Sequence, residues 1–113
     1  MKTSSVGQLA EAAVADYLLQ RGYETVARNW KTPACEIDLV AKKEDVIYFV
    51  EVKYRSSETQ GGGFDYIGPQ KLKQMNFAAR VWAQNNRYGG DYQLLAAEVG
   101  GLNYENVEVI ELS

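Results

Sequence analysis

Residues 36–53 read EIDLVAKKEDVIYFVEVK, two apolar runs joined by a charged turn. The alternation and the turn at Glu44 and Asp45 predict a β-hairpin. The second run is apolar on both parities, the pattern of a central strand covered on both faces. Opposed residues of an antiparallel pair share one index sum. A two-residue turn at Glu44-Asp45, or a four-residue turn over 43–46, sets that sum so that Asp38 lies across from Glu51. Their side chains would then start about 4.5–5.5 Å apart. Strand periodicity adds Glu36 and Lys53 to the same face and leaves Ile37, Leu39, Val50 and Val52 as the core face.

Two carboxylates at such a distance repel by roughly 3–4 kcal/mol at an effective dielectric of about 20. A domain stable by about 5–15 kcal/mol does not keep that without relief. Either Lys53 neutralises the acids as a structural ion pair, or a divalent cation bridges Asp38 and Glu51 and leaves Lys53 for another task.

Outward from the hairpin, Ser5 and Gln8 have capping-box spacing, and Val6, Leu9, Ala10, Ala13, Val14 and Tyr17 recur at helical intervals up to Gly22. A first helix over roughly 5–21 is expected. Glu11 borders its apolar stripe, where an acid could reach the Asp38–Glu51 face. Gly7 either marks a close approach of the helix backbone or merely tolerates the first turn. A short strand near 23–28 precedes the hairpin. SSETQGGGF then forms a flexible break. Pro69 suits a first helical position, and Leu72, Met75, Ala79 and Trp82 form one face of a second helix ending near NNRYGG. Trp82 belongs to that core stripe and Trp30 covers the hairpin. Strands at about 92–99 and 106–112 complete the order αβββαββ, an α/β (α+β) fold with a mixed sheet and helices packed on it.

The chain has 113 residues, 46% apolar and 24% charged, which fits one domain over 1–113. It has no membrane-length apolar run and no secretory block near its start, so a cytoplasmic protein without membrane contact is expected. Cys35 is the single cysteine and histidine is absent. That excludes an internal disulfide, serine–histidine and cysteine–histidine catalysis, and the usual zinc ligands. Carboxylate oxygens favour hard ions such as magnesium or manganese. The net charge of −3 is not that of a general nucleic-acid binder. Five of the 15 acids lie after residue 90, however, and the first 90 residues hold 12 basic and 10 acidic side chains. A local basic surface is therefore available.

The strings EIDLVA and FVEVKYR, preceded by GQLAEAAVADYLLQRGYETVARN, resemble the YraN family of small bacterial proteins, of the PD-(D/E)XK nuclease-like superfamily that includes archaeal Holliday-junction resolvases. The resemblance covers Gly7 to about Ala83 and implies a restriction-endonuclease-like core. It implies Asp38 and Glu51, with the backbone carbonyl of Val52, as ligands of Mg2+ or Mn2+. Lys53 would orient or activate the attacking water, and Glu11 would act on the metal directly or through water. Lys71 resembles the basic residue of the family's second helix, with Gln70 or Gln74 supporting phosphate or water. Arg28, Lys31, Arg55, Lys71 and Lys73 are the expected phosphate contacts. The implied function is phosphodiester hydrolysis in structured or single-stranded DNA, DNA being favoured over RNA, with a possible homodimer. The alternative is a catalytically silent nuclease-fold module that binds nucleic acid or serves assembly. The chain departs from the family pattern at Cys35, where glycine is usual, and at Gln93, Leu94 and Leu95, where Arg-Phe-Asp is common.

Overall fold

Ser5 accepts from the Gln8 N–H while the Gln8 side chain accepts from the Ser5 N–H, a closed capping box that starts α1 (Val6–Leu19). β1 (Glu24–Lys31), β2 (Glu36–Lys43), β3 (Val46–Arg55), α2 (Pro69–Asn85), β4 (Asp91–Gly100) and β5 (Asn106–Leu112) follow. The computed structural model describes residues 5–55 and 63–112. Most of the glycine-rich break expected at 56–64 therefore lies outside the described residues.

The five strands form one mixed sheet in the order β1-β2-β3-β4-β5. All neighbours are antiparallel except β3 and β4, which run parallel because α2 carries the chain back between them. The hairpin register is the expected one, from Lys43↔Val46 to Leu39↔Val50, closed by a two-residue turn at Glu44-Asp45. Glu44 takes the left-handed conformation with φ 53°, which suits such a tight turn.

The helices cover opposite faces. Beneath α1, Ala10, Val14 and Leu18 pack on Leu39, Val50 and Leu95. Beneath α2, Met75, Ala79 and Trp82 pack on Val40, Phe49 and Leu94. Phe49 meets Trp82 and Tyr92 edge-on at 5.5 and 5.4 Å. This explains the doubly apolar reading of β3, whose alternate side chains enter two different cores. Trp82 is core as expected, and Trp30 packs partly buried against the same layer as Ile37.

Two expectations need correction, and the alternatives left open at Gly7 are decided. The buried line of α1 is Ala10, Glu11, Val14 and Leu18, whereas Val6 and Leu9 are exposed. The helix is rotated so that Glu11 faces the sheet instead of bordering the apolar stripe. Gly7 lies near no sheet backbone, and a side chain there would meet just the Ser5 hydroxyl. It tolerates the first turn. Ile37 shares no layer with Leu39 and Val50 but joins the core under α2. The change of layer accompanies a break in strand pairing at Asp38.

Candidate active site

Asp38 sits where pairing lapses on both sides of β2. Toward β3 the pairs end at Leu39↔Val50, although both strands continue. Toward β1 they pass from Arg28↔Leu39 to Trp30↔Ile37, omitting Asn29, which faces Asp38 in left-handed conformation at φ 53°. Asparagine is one of the few residues that tolerate this conformation. Into the resulting gap the Asp38 carboxylate projects, and its Oδ2 accepts the Val52 N–H at 2.8 Å. A side-chain oxygen thus satisfies a β3 donor where the ladder has opened.

The gap gathers negative charge. Burial pushes the Asp38 carboxyl up to about 6; the Val52 N–H opposes the shift, and Glu51, Glu11 and Glu36 add to it. Glu51 lies opposite Asp38 by the common index sum, but its charge is met by Lys71 of α2 at 2.9 Å. The Lys53 ion pair expected from the sequence is not what the structure shows. Lys53 makes no salt bridge with the acids among the described residues, and the cation on Glu51 comes from the second helix.

Glu11 reaches the gap from the α1 layer. It is 7% exposed, the one charged side chain among the buried described residues. The Asn29 amide donates to its Oε1 at 2.8 Å. Burial raises its carboxyl above the usual range; the Asn29 bond and the charges of Arg28 and Lys31 pull it back, and Glu36 raises it further. Asn29 thus serves both the Glu11 carboxylate and the bend facing Asp38. It was not singled out from the sequence, where a lone asparagine in ARNW gives no signal beyond its tolerance of left-handed backbone.

Lys53 is exposed, with its ammonium 5.6 Å from the centre of the Tyr66 ring. Arg55 has its guanidinium 5.7 Å from the same ring and is further held by Glu98 at 2.8 Å and the Gly63 carbonyl at 2.8 Å. Tyr66 is the second group missed in the sequence. Its only sign there was an aromatic residue just after the glycine break.

From Glu51 a groove of about 480 Å³ runs along the start of α2, lined by Cys35, Glu36, Lys71, Lys73, Gln74 and Phe77 among others. Of the expected phosphate-binding residues, Lys71, Lys73 and Gln74 share this groove, while Gln70 is exposed in the first turn of α2. Arg28 and Lys31 lie exposed on β1, beyond Glu11. Arg55 is committed to Glu98 and Gly63.

All the acidic donors are oxygens, and the Asp38 carboxyl, raised first by burial and then by the charges of Glu51, Glu11 and Glu36, is one whose ionised form a hard cation would favour. Asp38, Glu51 and the Val52 carbonyl supply oxygen donors whose chemistry suits such an ion. Among the described residues no three acidic or cysteine side chains are close enough to hold an ion together. Binding at Glu51 requires its pair with Lys71 to loosen.

Fold and site define a three-layer α/β/α protein with a carboxylate pair at a parted strand junction, in an element order consistent with a nuclease-like core. Comparison with known proteins places it further. A family model described as "Uncharacterised protein family UPF0102" matches residues 10–110, and the chain belongs to that family, the YraN family. Relatives named UPF0102 protein include one from Pseudomonas putida KT2440, 38% identical over 76% of this chain and 69% of its own length. Another, from Anaeromyxobacter dehalogenans, is 35% identical over 92% of this chain and 76% of the relative. A third, from Shewanella denitrificans, is 34% identical over 87% and 91% respectively. No helix among the described residues is long and apolar enough to cross a membrane.

Proposed function

We propose that this protein is a divalent-metal-dependent endonuclease acting on structured or single-stranded DNA. The observation that carries the reading is the Asp38 carboxylate held on the Val52 N–H just past the last β2–β3 pair, one residue along β3 from Glu51, with a groove lined by Glu51, Lys71, Lys73 and Gln74 beside it. A structural ion pair has no need of an opened ladder. An acid pair that must accept an ion and a phosphodiester does.

When bound, magnesium or manganese supplies charge neutralisation at the phosphodiester and eases deprotonation of water. Asp38 and Glu51 would hold it, together with the Val52 backbone. Asp38 is oriented for this by the Val52 N–H, which fixes one oxygen of the carboxylate. Lys53, solvent-facing beside Tyr66, would donate to a phosphoryl oxygen or to the nucleophile. Glu11 holds negative charge behind the pair and positions Asn29. Lys73 and Gln74 would hold the backbone on one side of the gap, and Arg28 and Lys31 on the other. Such contacts orient a strand without reading its sequence. Pairing of two copies would extend the surface enough to span a branched junction.

Cleavage of a substrate panel, including single strands and a four-way junction, tests the reading in Mg2+ and in Mn2+. Metal-dependent nicking is expected, lost in Asp38→Ala, Glu51→Ala and Lys53→Ala proteins that remain folded. DNA binding by wild type with every substrate uncut under both metals would instead establish the silent binding module.

A further inference from the structure

One buried group at the gap is left without a task by this scheme. The Tyr66 ring lies between strand-borne cations, 5.6 Å from the Lys53 ammonium and 5.7 Å from the Arg55 guanidinium. Its hydroxyl is buried and has no hydrogen-bond partner among the described residues. Buried phenols ordinarily find an acceptor, because leaving the donor dry costs its full desolvation. The carboxylates whose charges act on it are already engaged: Asp38 with the Val52 N–H, Glu51 with Lys71, and Glu98 with Arg55. Burial, followed by the charges of Glu51 and Glu98, pushes the phenol up to about 12, against the pull of Arg55, so it remains a donor at neutral pH.

We propose that Tyr66 is a substrate-binding residue whose hydroxyl donates to a non-bridging phosphoryl oxygen of the nucleic-acid backbone entering the Asp38–Glu51 gap. The assignment rests on the phosphodiester reading above. The ring has a second effect: by lying against Lys53 it restricts that flexible cation, so a phosphate arriving there meets a neutral donor beside a charge. An acceptor supplied by the ligand accounts for the hydroxyl having none among the described residues.

Tyr66→Phe keeps the ring and removes just the donor. Two measurements decide the matter: thermal melting of the free protein without metal, and binding of a fluorescein-labelled single-stranded oligothymidylate in calcium. Melting is expected at or above the wild-type temperature, since a dry donor is deleted. Binding is expected to weaken by about ten- to a hundredfold, the worth of a hydrogen bond to a charged oxygen. A lower melting temperature would mean that the hydroxyl has an internal partner, and would overturn the assignment, as would unchanged oligonucleotide binding. Failure of wild type to bind the oligonucleotide sinks the nucleic-acid reading itself, and this assignment with it, so the two failures are told apart by the wild-type control.

Discussion

The Asp38 carboxylate and the Val52 N–H are joined at 2.8 Å across a point where β2 and β3 no longer pair residue by residue. This bond takes up a β3 donor beyond the last ladder pair and fixes one oxygen of the carboxylate. Asp38→Ala removes the acceptor and leaves a partly buried amide, for an expected loss of about 1–3 kcal/mol. Asp38→Asn retains an acceptor oxygen and should lose much less. Urea denaturation of the two variants beside wild type checks the difference; equal losses would mean that the amide finds water.

The raised Asp38 carboxyl has a pH signature. Below about pH 4 the group is protonated folded or unfolded and contributes nothing. Between about pH 4 and 6 the folded protein keeps a proton that the unfolded chain releases, so stability declines as pH rises through this window. Above about pH 6 the decline is complete, on the order of 2–3 kcal/mol for a shift of this size. Urea midpoints across pH 3.5–7.5, a range of about four units spanning both pKa values, should show this component in wild type and lack it in Asp38→Asn. Parallel profiles would place the responsible proton elsewhere.

A cation bound by the ionised acids should reverse that penalty. At neutral pH, millimolar manganese is expected to raise the wild-type melting temperature, following the ratio of free ion to its dissociation constant. Neither Asp38→Asn nor Glu51→Gln should respond. Stabilisation persisting undiminished in both variants would locate the ion at another site.

The Lys71–Glu51 pair is partly solvent-exposed at both ends, so it contributes little to stability. Lys71→Gln should cost less than about 1 kcal/mol in urea denaturation. The same change frees Glu51 and should tighten manganese binding in a calorimetric titration. A weaker ion site in Lys71→Gln would contradict the requirement that the pair loosen.

Glu11 and Asn29 separate charge from hydrogen bonding. Glu11→Gln keeps an oxygen for the Asn29 amide and deletes a buried charge, so stability should hold or rise. Asn29→Ala loses that bond and places alanine in left-handed backbone, at an expected cost of about 2–4 kcal/mol. Asn29→Gly should recover about 1 kcal/mol of it, because glycine adopts φ 53° without strain. Chemical denaturation of the three proteins provides the check. Equal stability of the alanine and glycine variants would remove the backbone part of this account.

Much of this architecture was legible in EIDLVAKKEDVIYFVEVK. The turn chemistry set the register, which the ladder follows from Lys43↔Val46 to Leu39↔Val50 before it opens at Asp38. Both parities of β3 were apolar because each faces its own helix. The sequence was less informative about Glu11, since a residue bordering a helical stripe becomes buried or exposed according to a rotation of the helix that periodicity does not define. Lys71 and Tyr66 were harder still, being brought to the site by a crossover and a loop across many intervening residues.

The sequence by itself determined the element order, the hairpin register and the supply of acids without histidine, because these depend on local turns, alternation and composition. Tertiary structure alone decided which charge meets which. Lys53, two residues from Glu51, stands beside Tyr66, while Lys71 from α2 takes the Glu51 carboxylate. The physical reason is directional: neighbours on one strand face project outward together and do not fold back on each other, so the partner of a buried or half-buried charge comes from the layer packed above it.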